Sequence, residues 1–230
     1  MTTTKWFFQD WGTIEYGTAW KKQQELWEEV KNNKYNSEEK KSKKNYLVFC
    51  EHPHVYTLGK SGNDTNLLIP QDFLKKINAT YFHIDRGGDI TYHGPGQIVG
   101  YPIIDLETFN FGVKSYIHTM EETIIRFLDK YNIKAERLEG ATGVWIDANT
   151  PKARKICAIG VKVSRWITMH GFAFNVNTDL KYFSYINPCG FQDKGVTSME
   201  KELGEKLDMT EVKHQLSKEF EKTFNHNLIY

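Results

Sequence analysis

The stretch RGGDITYHGPGQIVGYPIIDL, residues 86–106, joins a glycine-rich region to an apolar run. Arg86 to Gly100 holds five of the 17 glycines of the chain. Glycines at this density indicate tight turns and a backbone that can come close to a ligand. Val99 to Leu106 predicts a strand directly after the turns. The stretch therefore predicts a strand of the core preceded by a loop that could hold a bound group.

Two side chains add hydrogen-bond donors to this loop, Arg86 at one end and His93 near the other. Backbone N–H groups between them could hold a negatively charged oxygen atom. The loop lacks the Gly-Lys-Ser/Thr ending of a Walker phosphate loop and the GxGxxG order of a dinucleotide site. A ligand-binding loop and an ordinary glycine-rich hairpin both stay open from these residues alone.

Periodic patterns on both sides of this stretch predict the rest of the fold. Apolar residues recur at helical spacing in three segments, Ala19 to Val30, Val113 to Tyr131 and Thr210 to Phe224. Pro70 opens a short predicted helix, Gln71 to Ile77. Apolar runs predict these further strands: Tyr46 to Cys50, Val55 to Leu58, Thr80 to Ile84, Val144 to Asp147, Lys155 to Val163 and Phe172 to Val176. The pattern indicates one α+β (α/β) domain over residues 1–230, with a mixed β-sheet flanked by helices.

Composition and charge are those of an ordinary soluble globular protein. Of the 230 residues, 40% are apolar and 26% are charged, and the formal net charge is +1. Because no global basic field exists, we expect no nucleic-acid partner. The apolar runs are far shorter than the ~20 residues of a membrane helix, and the N-terminal MTTTKWFFQDWG lacks an apolar stretch of signal-peptide length. We therefore expect a cytoplasmic protein with no membrane partner.

The strongly polar segment KNNKYNSEEKKSKKN occupies residues 31–45. Few of its residues are apolar and its charges are mixed, which predicts a solvated helix end followed by a loop. We expect no functional role for it.

The chain has three cysteines, Cys50, Cys157 and Cys189. An odd number without a CxxC spacing fits a reducing compartment better than a disulfide framework. Cys189 lies in the sequence Asn-Pro-Cys-Gly, residues 187–190. Proline and glycine on either side predict a turn, which would expose the sulfur atom as a nucleophile requires. A passive loop cysteine fits the same pattern.

Lys155 begins the predicted strand KICAIGVKV. Simple alternation places Lys155 and Cys157 on one side of the strand and Ala158 on the other. A strand-end lysine in water is the ordinary alternative, and periodicity does not separate Lys155 from Lys162.

Cys50, His52 and His54 alternate along the chain, a spacing that metal ligands can have. Pro53 interrupts this alternation and no further ligands complete a set, so we expect no metal site. His170, in the sequence His-Gly-Phe-Ala, fits either a core histidine or a site residue.

Several long motifs occur in the order found in one enzyme family: RGGDITYHGPGQIVGYPIIDL, KICAIGVKV, HGFAFNVNTDL and INPCGF. EHPHVYTLGK, further upstream, is also similar to the early strand and turn of that family. From about Trp20 to beyond INPCGF, the chain resembles the lipoyl(octanoyl) transferases of lipoate biosynthesis. The resemblance implies the fold shared with biotin and lipoate protein ligases, with an acyl chain bound in a pocket over a mixed sheet. Residues 31–45 are an insertion relative to shorter members.

The resemblance also implies roles for individual residues. Cys189 matches the acyl-bearing cysteine of the family, and Lys155 matches its catalytic lysine. The substrate-contacting segments of the family match Arg86, Gly87, Gly88, Asp89, Ile90, Thr91, Tyr92, His93, Ala158, Ile159, Gly160, Gly171, Phe172 and Ala173. The resemblance implies no cofactor and no metal.

The implied donor is octanoyl-acyl carrier protein. The implied acceptors are lysines on the lipoyl domains of 2-oxoacid dehydrogenases and on the glycine cleavage H protein. Because the donor is already a thioester, no ATP is required. Lys155 would hold Cys189 as a thiolate, protonate the leaving thiol and later accept the proton of the incoming amine. His93 or His170 would help to position the thioester, and backbone N–H groups such as that of Gly160 would stabilise the oxyanion.

Three other functions share parts of this pattern. An ATP-dependent lipoate or biotin ligase has the same fold but needs an adenylate-binding loop and no essential cysteine. A non-catalytic module would bind the acyl carrier protein without becoming acylated. An octanoyl amidotransferase, which moves the group between lipoyl proteins, would use the same cysteine chemistry.

Overall fold

A computed structural model describes residues 3–35, 42–187 and 194–230 of the chain. The strands are β1 Thr3–Thr13, β2 Ser42–Glu51, β3 Val55–Leu58, β4 Thr80–His83, β5 Ile90–His93, β6 Gln97–Ile103, β7 Glu136–Leu138, β8 Ala141–Ile146, β9 Arg154–Ser164, β10 Ile167–Asn175, β11 Gly195–Val196 and β12 Leu228–Ile229. The helices are α1 Tyr16–Tyr35, α2 Gln71–Lys76, α3 Val113–Asp129, α4 Met199–Leu203 and α5 Met209–Phe224. None of the helices in the described part of the chain has the length and apolar character needed to cross a bilayer.

The main sheet has the order β12-β1-β2-β6-β10-β9-β8-β7, and β11 pairs with β9. β1 runs parallel to both β12 and β2, whereas β2, β6, β10, β9 and β8 pair antiparallel in succession. A separate small sheet has the order β4-β3-β5. The mixed sheet predicted from the sequence pattern is confirmed.

Helices cover both faces of the main sheet. On one face, α3 and α5 close a large apolar core, in which the Phe220 ring stacks on Phe172 at 5.4 Å and meets Phe49 edge-on at 5.9 Å. On the other face, Ala19 and Val30 of α1 pack among buried residues of β2 and β6. Because α1 covers only part of this second face, room remains beside it for a cavity.

The small sheet lies over that second face and has an aromatic core of its own. The Tyr92 ring of β5 stacks on Tyr182 at 5.0 Å, and Tyr56 of β3 donates a hydrogen bond to the Tyr182 carbonyl at 2.9 Å. These contacts fix β5 relative to β3 and to the segment around Tyr182. The Gly87 N–H donates to the Val161 carbonyl of β9 at 2.9 Å, which ties the segment from Arg86 to His93 to the main sheet.

The polar segment 31–45 departs in part from its predicted solvated state. β2 begins at Ser42, and the fully buried Asn45 accepts a hydrogen bond from the Asp105 backbone N–H at 2.8 Å. Lys34, at the end of α1, pairs with the buried Asp105 at 2.7 Å. The expectation of a wholly solvated loop was wrong at both ends, because strand pairing and one buried carboxylate draw these polar residues inward. Residues 36–41 lie outside the described part of the chain.

Candidate active site

A cavity of about 540 Å³ lies against the uncovered part of the main sheet. Its lining includes these residues singled out from the sequence: Arg86, Gly87, Gly88, Asp89, Ile90, Thr91, His93, Lys155, Ala158, Ile159, Gly160, Gly171, Phe172 and Ala173. Tyr92 is not part of the lining. Cys189 lies outside the described residues. Segments that are far apart in the chain therefore meet around one space.

Small residues on neighbouring strands form the floor of the cavity. Gly160 of β9 lies opposite Gly171 of β10, and Ala158 lies opposite Ala173. Val99 of β6 pairs with Ala173 on its other side and also lines the cavity. Small side chains on three adjacent strands leave a shallow apolar trough that an alkyl chain can fill.

The roof of the cavity is the loop that begins at Arg86. Gly87 donates its backbone N–H to the Val161 carbonyl of β9 at 2.9 Å, and the Arg86 guanidinium donates to the Thr57 carbonyl at 2.7 Å. A Cβ atom at Gly160 would lie 3.0 Å from the Gly87 carbonyl oxygen and 3.1 Å from Arg86 Cδ. Glycine at position 160 is therefore what allows the roof to approach the sheet this closely.

Tyr92 faces away from the cavity because side chains alternate along β5. Its ring belongs to the core of the small sheet, and its hydroxyl oxygen lies 2.7 Å from His54 Nδ1. Tyr92 was predicted to contact the substrate only because it belongs to a contiguous motif. Membership of a motif does not show which face of the strand a side chain occupies.

Lys155 lies at the edge of the cavity lining. Its ammonium donates a hydrogen bond to the Thr142 carbonyl at 3.2 Å and lies 4.6 Å from the centre of the Trp145 ring. The expectation that Lys155 and Cys157 face the same side was wrong. The β8–β9 register shifts between the pairs Val144–Cys157 and Trp145–Lys155, and one extra residue breaks the alternation.

Cys50 and Cys157 are both fully buried. Burial raises the pKa of each thiol, because an apolar surrounding disfavours the charged thiolate. Neither has the exposure or the acidity of a nucleophile.

Both ends of the segment that carries Cys189 are held by backbone hydrogen bonds. Before it, Asn187 donates its N–H to the Asn66 carbonyl at 2.8 Å. After it, Gly195 donates to the Ala153 carbonyl at 2.9 Å, and Thr197 donates to the Lys155 carbonyl at 3.0 Å. Cavity-lining residues occur on both sides of the segment, Phe183 before it and Lys194 to Val196 after it.

A hydrogen-bond network that the sequence did not reveal fixes the state of His93. Asn175 donates its amide to the Thr197 carbonyl at 2.9 Å, so its side-chain oxygen accepts from Gln97 at 2.9 Å. Gln97 also donates to the Tyr92 carbonyl at 3.1 Å. The remaining Gln97 oxygen therefore faces His93 Nδ1 at 2.8 Å and accepts its proton.

His93 is consequently neutral, with its lone pair on Nε2. Burial lowers the pKa of His93 well below its usual range, and the nearby His52 adds to this shift. The Nε2 atom lies 3.4 Å from the Thr57 hydroxyl, which accepts a hydrogen bond from Arg86 and has its own proton available. His93 in this state has no N–H to offer a thioester oxygen.

His170 is held in a similar way on β10. Its Nε2 atom donates to the Asp85 carboxylate at 2.9 Å, and Lys162 pairs with the same carboxylate. These bonds, first that from His170, lower the pKa of Asp85, whereas burial lowers the pKa of His170. His170 also has a φ of +60°, a strained conformation that the surrounding contacts enforce. Its Nε2 proton is engaged, so His170 resembles His93 in offering no donor to a carbonyl oxygen.

Backbone amides are therefore the remaining donors at the floor. In an antiparallel pair, the N–H and C=O of one residue point to the same side, and successive residues alternate. The Val161 carbonyl points toward Gly87, away from β10. The Ile159 amide, two residues earlier, points the same way, toward the roof side, whereas the Gly160 amide points toward β10. Strand alternation therefore favours the Ile159 amide over the Gly160 amide as a donor toward the roof.

The side chains of His52 and His54 have separate partners and do not face a common metal position. His52 Nδ1 lies 2.7 Å from the Ile14 carbonyl and its Nε2 lies 2.7 Å from the Tyr101 hydroxyl, whereas the His54 ring stacks on Tyr182 at 4.0 Å. Within residues 3–35, 42–187 and 194–230, no group of three potential metal-ligating side chains comes together.

Comparison with known proteins identifies the family. The model of the lipoyl protein ligase A/B catalytic domain matches residues 15–221. The chain belongs to this family. The octanoyltransferase of Bacteroides fragilis is 57% identical over 210 residues, which is 91% of this chain and 94% of that protein. The octanoyltransferase of Parabacteroides distasonis is 57% identical over 218 residues, 94% of this chain and 97% of that protein.

A solved structure gives the same fold. A bipartite lipoate protein ligase from the archaeon Thermoplasma acidophilum superimposes with a TM-score of 0.69 at 16% identity, covering 99% of this chain and 88% of that one. The resemblance drawn from the sequence motifs and the implied ligase-like fold are thus confirmed. The expectation of a transferase agrees with the names of the similar proteins.

The buried histidine beside the cavity predicts acid sensitivity. Burial lowers the pKa of His52 to about 4, below the ordinary ~6.5 of an unfolded histidine. Its contribution to stability is therefore complete above about pH 6.5 and is lost as the pH falls toward 4. The free energy of unfolding should fall by about 2 kcal/mol from this group between pH 7 and pH 5.

Urea unfolding at a series of pH values measures this effect. His52→Gln should reduce the pH dependence in that interval by about 2 kcal/mol even if it lowers stability throughout. His83→Gln, at a histidine whose side chain is 62% exposed, is the matched control and should reduce it less. Equal slopes for the parent and His52→Gln would contradict the assignment.

Proposed function

We propose that this chain is an octanoyltransferase of lipoate biosynthesis that works through a thioester on Cys189. The donor is octanoyl-acyl carrier protein. The acceptor is the lysine ε-amine of lipoyl domains, in 2-oxoacid dehydrogenases and in the glycine cleavage H protein. The observation that carries the proposal is the position of Lys155. It lines an apolar cavity whose floor consists of small residues. Its carbonyl accepts the N–H of Thr197, just after the segment that contains Cys189.

The cavity supports an aliphatic acyl group as the cargo. Its floor consists of glycine and alanine at the facing positions 158, 160, 171 and 173. Val99 supplies apolar surface beside this floor. The trough crosses from β9 over β10 to β6, two strand spacings of roughly 5 Å each, a span of the order of an extended eight-carbon chain.

The first step exchanges one thioester for another. The Cys189 thiolate attacks the carbonyl carbon of the octanoyl thioester, and the carbon–sulfur bond to the carrier breaks. The Lys155 ammonium gives a proton to the departing thiolate and becomes a neutral amine. Since a thioester is both consumed and formed, the step needs no external energy source.

The second step passes the acyl group to an amine. The lysine of the lipoyl domain attacks the carbonyl carbon of the acyl-enzyme, and Cys189 departs as a thiolate. Neutral Lys155 accepts the proton that the amine loses. An amide forms, and the enzyme returns to its starting protonation state.

The surroundings of Lys155 support its starting state as an ammonium. A carbonyl oxygen and the face of an aromatic ring both attract a cation, and Lys155 has one of each, Thr142 and Trp145. A cation near a cysteine favours the thiolate. The Ile159 amide is the proposed donor to the tetrahedral oxyanion, a contribution worth roughly 3–4 kcal/mol in other enzymes.

The donor specificity and the nucleophile can be tested together. The parent should octanoylate a lipoyl domain when supplied with octanoyl-acyl carrier protein, measured as the mass increase of the domain. Cys189→Ser should abolish transfer. Cys50→Ser and Cys157→Ser should retain most of it, because both side chains are buried in the core, away from solvent.

Other outcomes identify other functions. Transfer from free octanoate with ATP would indicate a ligase, and transfer only from an octanoylated carrier subunit would indicate an amidotransferase. Binding of the donor without transfer would indicate a non-catalytic module. Near-normal turnover by Cys189→Ser would exclude the covalent route.

The activation of the nucleophile by Lys155 has its own test. The pKa of Cys189 should lie below the ~8.5 of a free thiol, and Lys155→Ala should raise it by about one unit, equivalent to about 1.4 kcal/mol. The pH dependence of iodoacetamide alkylation, followed by peptide mass spectrometry at Cys189, measures this value.

Lys162→Ala is the matched control, since Lys162 pairs with Asp85 and is not part of the cavity lining. It should leave the alkylation profile unchanged. If Lys155→Ala leaves the profile unchanged but stops turnover, Lys155 acts only in proton transfer. If it changes neither, the assignment of Lys155 is wrong.

A further inference from the structure

Glu121 is a buried carboxylate on α3 that belongs to none of the sequence motifs. Its side chain is 10% exposed. One carboxylate oxygen accepts the backbone N–H of Gly143, on β8, at 3.0 Å. The other accepts from Arg137 Nε at 3.1 Å. A buried carboxylate needs such partners, because an unpaired charge in the interior is costly.

Gly143 has a backbone conformation that only glycine adopts easily. Its φ is +122°, and a Cβ atom at this position would lie 2.5 Å from the Cys157 carbonyl oxygen. The same Cβ position is 3.5 Å from both Cδ and Cε of Lys155. β8 at Gly143 therefore passes directly against the aliphatic stem of Lys155.

The groups that hold the Lys155 ammonium lie on either side of Gly143. Thr142, immediately before it, supplies the carbonyl oxygen, and Trp145, two residues after it, supplies the aromatic face. The register shift of β8 against β9 falls in the same place, between Val144 and Trp145. The path of β8 through Gly143 thus determines where the ammonium is held.

Glu121 is itself held firmly. Arg137 also donates from Nη2 to the Glu122 carboxylate at 2.8 Å and to the His118 carbonyl at 3.0 Å, both on α3. The guanidinium therefore bridges β7 to three groups of one helix. This arrangement fixes the Glu121 carboxylate relative to α3, and through it the N–H of Gly143.

We propose that Glu121 is a positioning residue for Lys155: it holds β8 at Gly143 in the path that places the Lys155 ammonium at the cavity. The role of Lys155 itself rests on the proposed function. In this role, Glu121 acts through the backbone of β8 and does not contact the acyl group. Loss of Glu121 should displace Thr142 and Trp145 from the ammonium and let Lys155 adopt other rotamers.

Kinetics provide the first test. Glu121→Ala should lower kcat for octanoyl transfer on the order of 10²-fold, the scale of effect of a displacement of about 1 Å at a reacting group, with little change in KM for the octanoyl donor. Glu121→Gln, which keeps an oxygen acceptor for the Gly143 N–H, should recover much of the rate. Glu122→Gln is the control, because its amide oxygen can still accept from Arg137 and the Gly143 N–H donates to Glu121. It should behave as the parent does.

A double-mutant cycle shows whether the effect passes through Lys155. Glu121→Ala should have little further effect on the rate in a Lys155→Ala background, because the group that it positions is then absent. Equal losses in both backgrounds, with folding verified by thermal unfolding, would overturn the proposal.

Direct labelling of Lys155 separates this inference from the proposed function. The rate of acetylation of Lys155 by acetic anhydride, measured by peptide mass spectrometry, needs no enzymatic activity. Glu121→Ala should change that rate, and Glu122→Gln should not. Parent-like labelling in folded Glu121→Ala would overturn the positioning role. Failure of the parent to transfer octanoyl, with labelling altered as expected, would overturn the proposed function only.

Discussion

The close approach of the roof loop to the floor of the main sheet is the constraint on which the site depends. The Gly87 N–H reaches the Val161 carbonyl at 2.9 Å, and a Cβ atom at Gly160 would lie only 3.0 Å from the Gly87 carbonyl oxygen. Opposite Gly160, the floor continues through Gly171 on β10. Larger side chains at positions 160 and 171 would push the roof loop away from the sheet and would also fill the trough. The glycines of two distant motifs therefore have one shared physical purpose, which is to leave an apolar space against a rigid sheet.

Around this space, polar groups are held in fixed states by their hydrogen-bond partners. Gln97 and Asn175 set the tautomer of His93, and Asp85 holds the Nε2 proton of His170. Burial lowers the pKa of both histidines, so each is uncharged at neutral pH and shapes the wall instead of donating to the cargo. Lys155 is the contrasting case, since a carbonyl oxygen and an aromatic face hold a cation at the edge of the lining. The localised positive charge of Lys155 beside these neutral histidines suits an apolar acyl chain that carries a reactive carbonyl group.

Much of the fold could be predicted from the sequence, because the strands and helices that form the core have strong local periodicity. The predicted strand Val55 to Leu58 has the same bounds as β3, and the predicted start of the long helix at Val113 is confirmed.

The features that local patterns missed depend on partners that are distant in the sequence. β1 was not anticipated, since it is stabilised by parallel pairing with β2 and β12. The side on which Lys155 lies follows from a bulge that the register of β8 imposes. The Gln97–Asn175 bond joins residues 78 positions apart, and its only sequence signal is a polar residue in an otherwise apolar strand.

In the proposed mechanism, an acyl group is bound covalently to the enzyme between donor and acceptor. Intact mass spectrometry of the parent protein, mixed with octanoyl-acyl carrier protein and no lipoyl domain, detects this intermediate. We expect an enzyme that is heavier by one octanoyl group, which hydroxylamine removes as it removes a thioester and which peptide analysis maps to Cys189. An enzyme that transfers octanoyl to a lipoyl domain in the same preparation, yet never gains this mass when the donor is in excess, would contradict it.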